Sequence, residues 1–415
     1  MQRGAVLYRD IWDNKTPLLY LIYAIHPTLL WAKFSATIFV LATIVAVYKL
    51  SLVILGRSKV TTPESLNNST LRDPGQARMT RIVGFCSTII TGIFLSIPLF
   101  EGTIANAELY FTTAIVWGAY LIYRLDISKN NILKSVLIGL LFSFAFFLKV
   151  PAVFDFIGIF IYLVIILFDF AKTQTFPFLS RYAVFFLIKK LSSLFIPIGL
   201  VFTIITLITI SYFYLNQALS DFIIASYFQN ASYVAIDSGP LSKLSNPLFV
   251  RAFLVLLALT VLFVLFIKKK ISKEFLFLSL WFSFSLYGAL LSNRPYMHYL
   301  LQIILPAVIL FVYLSSWLVQ NLQTFRDPGR TSFARMTPFV CTAVFLLVLY
   351  KTAVMFNGAF ALPTVPYYQN WFDYISERKS LEDYITFFDR RTLNSYAIAD
   401  YLKKNTNPND PIFVW

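Results

Sequence analysis

Long unbroken apolar runs alternate with short polar stretches along this chain. Ten runs approach the roughly 20 mostly apolar residues that a helix needs to cross a bilayer. They fall at 29–55, 81–100, 109–124, 132–148, 151–170, 191–215, 248–267, 275–291, 299–319 and 337–356. Strands of a membrane barrel alternate polar and apolar residues. These runs do not alternate, so the pattern predicts an all-α polytopic membrane protein with about ten transmembrane helices.

The loops sort by charge. On the side opposite the N-terminal stretch, loops 56–81, 124–134, 171–190, 268–274 and 320–335 carry 19 Lys and Arg. The other side, with its helix edges, carries 7: Arg3, Arg9, Lys15, Lys149, Lys243, Arg251 and Arg294. The positive-inside rule makes the richer side cytoplasmic and puts both termini outside. Lys33, Asp155, Arg251 and Lys351 fall near outer helix ends, and Lys49 and Asp169 near inner ends. The bilayer midplane is nearly free of charge.

Composition agrees. Of 415 residues 58% are hydrophobic and 13% charged, with 43 Phe. A soluble domain carries nearer a quarter charged residues. The net charge of +15 sets topology here, and no nucleic-acid partner is expected. Cys86 and Cys341 lie inside apolar runs and form no disulfide framework or metal-binding pair. The N-terminus does not read as a signal peptide, because Met1-Gln2-Arg3 leads into a polar stretch and apolar sequence begins near Leu18.

Two domains are expected: a membrane domain over 1–356 and a polar extracytoplasmic segment over 357–415, α/β in type and truncated. Within the second, Asn394–Lys404 reads as an amphipathic helix with Ala397, Ile398, Tyr401 and Leu402 on its apolar face. Pro411–Trp415 reads as a strand after the turn Asn407-Pro408-Asn409-Asp410. Arg72-Asp73-Pro74-Gly75 with Ala77-Arg78-Met79-Thr80 recurs as Arg326-Asp327-Pro328-Gly329 with Ala334-Arg335-Met336-Thr337. Both copies precede a helix, as a shared docking element or as a basic topology-setting stretch. Asn230-Ala231-Ser232 is an outer-loop sequon, a match common by chance.

Topology gathers chemistry on the outer face. Tyr8-Arg9-Asp10-Ile11-Trp12-Asp13-Asn14-Lys15 precedes the first span. Glu101 to Glu108 joins the second and third, Lys149-Val150-Pro151 the fourth and fifth, and Asn293 to Tyr299 the eighth and ninth. Carboxylates take protons from hydroxyls, Lys and Arg hold phosphate, and aromatic rings stack on sugars. The set fits transfer from a lipid phosphate to an acceptor. Each piece also has a plain reading. Asp155 can cap a helix, the aromatic residues can form a membrane belt, Lys15 and Lys149 can snorkel, and His26 and His298 can be structural hydrogen-bonders. One outer histidine and scattered carboxylates give no argument for a metal, and no cofactor is assigned.

These residues bear a family likeness. Tyr8-Arg9-Asp10-Ile11-Trp12-Asp13-Asn14-Lys15-Thr16-Pro17-Leu18 resembles the Y-R-D-x-x-D-x-K-x-P-L stretch of type C (GT-C) glycosyltransferases. These are the polyprenyl-phosphate-sugar-dependent enzymes related to protein O-mannosyltransferases and lipid A aminoarabinose transferases. Ala105-Asn106-Ala107-Glu108 is similar to the family's second acidic motif, and Phe147-Leu148-Lys149-Val150-Pro151-Ala152 to its L-K-x-P-A turn. Arg294-Pro295-Tyr296-Met297-His298-Tyr299-Leu300-Leu301-Gln302 with Pro306 resembles R-x-x-x-H-Y-x-x-Q-x-x-x-P. Tyr396–Ala399 through Ile412–Trp415 looks like the segment after the family's last span.

The resemblance implies inverting sugar transfer at the plasma membrane, with the active face outside. Tyr8, Arg9, Lys15, Lys149, Arg294 and His298 would bind substrate, Lys15 at the donor phosphate. Glu108 would hold or polarise the acceptor. The family's base follows a helix upstream of the first motif, and this chain begins after it. Asp10 or Asp13 would stand in. The implied partners are a polyprenyl-phosphate-linked sugar donor, a glycan, lipid or protein acceptor, and the bilayer. A flippase or transporter for a lipid-linked glycan, or a non-catalytic assembly partner, are the alternatives. Ion-coupled transporters place charge at midplane, and this chain does not.

Overall fold

The computed structural model describes residues 4–57, 74–129, 131–173, 181–230, 247–291, 296–323, 332–356, 362–407 and 410. The chain divides into two compact units, Met1–Phe360 and Ala361–Trp415. In lipid, backbone N–H and C=O groups must pair within the protein, and a helix does this within one segment. Each of the ten apolar runs carries a helix, and among the described residues the protein has no strand.

The first unit runs α1 Leu18–Ile25, α2 Leu29–Arg57, α3 Pro74–Ser96, α4 Ala107–Tyr123, α5 Ile132–Leu148 and α6 Ala152–Thr173. It continues with α7 Arg181–Leu215, α8 Leu219–Ile223, α9 Pro247–Ile267, α10 Lys273–Ala289, α11 Leu300–Gln323 and α12 Ser332–Phe356. Among the described residues six helices are long and apolar enough to cross a membrane: α2, α6, α7, α9, α11 and α12. α4, α5 and α10 have 17 residues each, about 26 Å at 1.5 Å per residue.

α4 and α10 are buried along nearly their whole lengths and form the centre. α2 packs on α3 and α4, α5 on α4 and α7, and α10 on α6 and α11. α7 and α9 leave much apolar surface uncovered, including Leu200, Ile204, Leu207, Phe253 and Leu257. Such outer faces suit a lipid solvent. Lipid also removes the hydrophobic drive between helices, so close approach and hydrogen bonds must hold the bundle. At Gly158 a β-carbon would come within 2.8 Å of the Leu280 carbonyl oxygen, so α6 meets α10 backbone to backbone. Thr43 bonds Thr113 at 2.7 Å and Ser35 bonds Tyr110 at 2.9 Å, joining α2 to α4. The Tyr123 hydroxyl donates to Glu274 at 3.0 Å, joining α4 to α10.

One buried carboxylate ties three helices. Asp155 on α6 is fully buried. It accepts from the Trp281 indole N–H of α10 at 2.8 Å and from the Gln302 amide of α11. The same amide donates to the Pro151 carbonyl at 3.1 Å, and Ser285 donates to the Gln302 carbonyl at 3.0 Å.

Several elements differ from the expected pattern, α3 and α12 by starting seven and five residues early. α1 was not expected as a separate helix. It ends at Ile25 because His26 precedes Pro27 and adopts extended backbone, the conformation a following proline imposes. α7 starts at Arg181, ten residues before the expected span, and carries Lys189 and Lys190 as helical residues. At 35 residues it is about 52 Å long, well beyond the ~30 Å hydrocarbon layer. Lys190 donates to the Ser128 carbonyl at 3.3 Å.

The second unit contains α13 Thr364–Ile375, α14 Leu381–Thr386 and α15 Arg391–Asn405. α15 covers the expected 394–404 helix, but Ile398 and Tyr401 are exposed. The strand expected at Pro411–Trp415 lies outside the described residues, as do Arg72-Asp73 and Arg326-Asp327-Pro328-Gly329 of the repeat. The rest of the two copies, 74–80 and 334–337, is helical and belongs to α3 and α12 rather than to the loops before them.

Replacing Asp155 by Leu leaves the Trp281 N–H buried without its acceptor and the Gln302 amide with the Pro151 carbonyl alone. The expected loss is about 2–4 kcal/mol, read as a lower thermal midpoint in detergent. Asp155→Asn, which keeps an acceptor oxygen, should lose less.

Candidate functional site

The loop between α3 and α4 turns sharply. Pro98–Phe100 forms a single tight turn, and Glu101 caps it in the left-handed region at φ 56°. A β-carbon at residue 102 would lie 2.4 Å from the Leu95 carbonyl oxygen, so only glycine fits there. This turn aims Glu101 at the segment before α11, where its carboxylate meets His298 Nδ1 at 3.0 Å. Asn106 flanks the start of α4 yet makes no capping bond with its side chain. Its amide instead donates to Glu101 at 3.2 Å.

Glu108 lies in the first turn of α4 and is only 2% exposed. The helix N-terminus favours its negative charge. Its carboxylate pairs with the ammonium of Lys149, which directly follows α5. Lys149 Nζ also sits 4.3 Å from the centre of the Tyr299 ring. That ring meets His298 edge to face at 4.6 Å. The contacts therefore close a ring: Asn106, Glu101, His298, Tyr299, Lys149 and Glu108, two residues from the start. It draws on the α3–α4 loop, the end of α5 and the start of α11.

Burial by itself would raise the Glu101 pKa. The hydrogen bond and charge of His298, with Asn106, outweigh it and hold the carboxyl below its ordinary range.

The N-terminal motif forms a second cluster. Leu7 bridges to Ile11, and Tyr8, at φ 73°, buries its ring against Phe213 and Phe222. The Tyr8 hydroxyl donates to the Lys15 carbonyl at 2.6 Å. Arg9 holds Asp10 at 2.8 Å and donates to the Asn216 carbonyl at 2.9 Å. The Arg9 hydrogen bond, with the Val6 N–H, lowers the Asp10 pKa to about 2. Asp13 is half-buried and accepts the Asn14 N–H at 2.6 Å. Lys15 is exposed. The hydroxyls of Thr16, Tyr20 and Ser226 are buried, that of Tyr20 beside Asp13 and that of Ser226 beside Tyr8.

α1 separates the clusters. Its eight residues cover about 12 Å, starting just after the motif. On its last turn the Tyr23 hydroxyl donates to the Ala105 carbonyl, and its ring packs on Tyr110. Beside α1 lies a cavity of 580 Å³ between α1, α5 and α7. Its walls are almost wholly apolar, with Leu7, Pro17, Leu18 and Leu21 on one side, Phe144 and Phe147 on another, and Ile205, Ile208 and Phe213 opposite. Pro17 is two residues from Lys15, and Phe147 two from Lys149.

Of the predicted site residues, Glu108, Lys149 and His298 thus converge, and Tyr8, Arg9, Asp10, Asp13 and Lys15 form the second group. Arg294 lies outside the described residues. No sequence motif marks Glu101. Its signal is the Gly102 after it, following Pro98, which reads as a tight turn. Among the described residues no three His, Cys, Asp or Glu side chains gather as metal ligands would. No family model, no curated protein and no solved structure matches this chain.

The lowered Glu101 pKa has a sign in stability. In the fold this carboxyl stays ionised to lower pH than the ~4.3 of an unfolded chain. Its contribution is fully present above that value and is lost as pH falls through the folded one. Glu101→Gln should therefore cost about 1–3 kcal/mol at pH 7. The gap from wild type should narrow on acidification to about pH 3, as followed by thermal unfolding in detergent.

Proposed function

We propose that this protein is a membrane glycosyltransferase that moves a sugar from a polyprenyl-phosphate donor to an acceptor hydroxyl outside the cytoplasm. The observation that carries the reading is the apolar cavity beside α1, whose lining residues Pro17 and Phe147 lie two positions along the chain from Lys15 and Lys149. A long isoprenoid chain needs an apolar wall in register with the bilayer. A phosphate head needs cations at the end of that wall. The reading takes α3, α4, α5 and α10 as spans beside the six helices long and apolar enough to cross, ten in all. The sorting of Lys and Arg by loop supports an outward-facing site.

Lys15 and Lys149 hold the donor phosphate and offset the charge that grows on it. The acceptor oxygen attacks the anomeric carbon, the bond from that carbon to the phosphate oxygen breaks, and lipid phosphate leaves with both electrons. The hydroxyl proton goes to a carboxylate. Asp10 suits this poorly, since Arg9 and the Val6 N–H occupy it. Glu108 is committed to Lys149. Asp13 is the better proton acceptor. It lies two residues from Lys15, and one of its oxygens takes the Asn14 N–H. His298, oriented by Glu101, and Tyr299, beside Lys149, fit a sugar face.

The test is transfer by purified protein in nanodiscs, offered polyprenyl-phosphate mannose, other polyprenyl-phosphate hexoses and pentoses, and lipid, glycan or peptide acceptors. Lys15→Ala and Lys149→Ala should each lower turnover about 10²–10³-fold, the usual effect of removing one positioned charge. Lys33→Ala, an outer lysine of α2, should leave it unchanged. Absence of transfer with every pair, or full turnover in the Lys15→Ala, Lys149→Ala double variant, would sink the proposal.

A further inference from the structure

α13 is built inside out for a helix of a water-soluble unit. Val365, Tyr368, Trp371, Phe372 and Ile375 recur at spacings of three and four and share one face, an arc of roughly 120° at 100° per residue. All five are exposed, Val365 at 66% and Trp371 at 48%. The buried residue of the helix is the polar Asn370, 2% exposed. Its amide donates to the Tyr384 carbonyl at 3.1 Å and accepts from Lys379 at 3.1 Å. Tyr374 stacks on Tyr384 at 4.7 Å, and Tyr367 packs on Phe388 at 5.7 Å. The helix is thus already docked to the rest of its unit by another face. Its apolar stripe takes no part in that docking.

We infer that the stripe of α13 lies in the lipid headgroup layer, as an in-plane helix at the bilayer surface. Three observations select lipid as the occupant. First, α12 is long and apolar enough to cross a membrane and ends at Phe356, while α13 starts at Thr364. Eight residue steps reach at most about 28 Å, so the covalent chain keeps the start of α13 close to the end of a spanning segment. Second, the stripe is rich in Trp, Tyr and Phe, the residues that favour the water–lipid boundary. Third, it carries no charge. Asp373 lies toward the opposite side of the helix, and Arg378 sits beyond the C-terminus with its guanidinium 5.8 Å from the Phe372 ring. A cation so placed rests its stem on the stripe and lifts its head toward phosphates. The binding is apolar insertion, to a depth of about 5–10 Å.

The experiment uses the full chain in phosphatidylcholine nanodiscs, with Cys86 and Cys341 changed to Ser. Single cysteines at Trp371→Cys, Phe372→Cys or Gln369→Cys carry an environment-sensitive fluorophore. Lipids with nitroxide near the headgroup should quench the labels at 371 and 372 and blue-shift their emission. The label at 369 should answer to an aqueous quencher instead. Raising salt should leave the pattern unchanged. Labels at 371 and 372 that respond to the aqueous quencher as 369 does would place the stripe in water. Labels shielded from both quenchers would place it against protein. Either result overturns the inference. Val365→Cys and Ile375→Cys report the same stripe from its two ends if a label at its centre disturbs the fold.

Discussion

The cluster of Glu101, His298, Tyr299, Lys149 and Glu108 depends on a carboxylate that takes no part in it. Asp155 accepts from α10 and α11 while standing on α6. The Gln302 amide that serves it also donates to the Pro151 carbonyl. Pro151 is two residues after Lys149, and Gln302 three after Tyr299. One side-chain amide therefore ties the turn carrying the lysine to the first turn of α11, which directly follows the ring under that lysine. An unpaired carboxylate in so buried a place would be costly, so the network persists only while all its members are present. The position of Lys149 over Tyr299 is inherited from this arrangement.

Glu108 supplies the other anchor. It is held by its helix N-terminus and by Lys149, and it lies next but one to Asn106, whose side chain turns to Glu101. The ring of contacts therefore has two supports, a buried acid on α4 and the Gln302 bridge on α11. Glu101 sits between them in a left-handed turn. Such backbone is unfavourable for a residue other than glycine and persists where its surroundings over-determine it. Here the surroundings are His298 and Asn106.

The helical bundle was legible because an apolar run in lipid has one way to satisfy its backbone. Its details were less so. Helix continues into polar sequence wherever the backbone can keep bonding, so Lys189 and Lys190 end the apolar run at α7 but not the helix. The short α1 shows in the His26-Pro27 break rather than in hydropathy. At the site, the sorting of charge by loop grouped Glu108, Lys149 and His298, and these meet in the fold. It could not tell an acid free to act from one already engaged. Asp10 belongs to Arg9, its immediate neighbour, and Glu108 to a lysine 41 residues away. The first pairing is local; the second is not, since it depends on how the loops fold back.

That second pairing matters for the proposed reaction. Lys149 faces a carboxylate and an aromatic ring, with its side chain 22% exposed. A phosphate arriving at the cavity must share this ammonium with Glu108. The lysine keeps three donors and can serve both. Sharing weakens its hold on Glu108, which then needs another hydrogen-bond donor to remain buried as an anion. An acceptor hydroxyl can provide one. The proposed donor and acceptor would then favour each other's binding through a single ion pair, and Glu108 would orient the acceptor while Asp13 takes its proton.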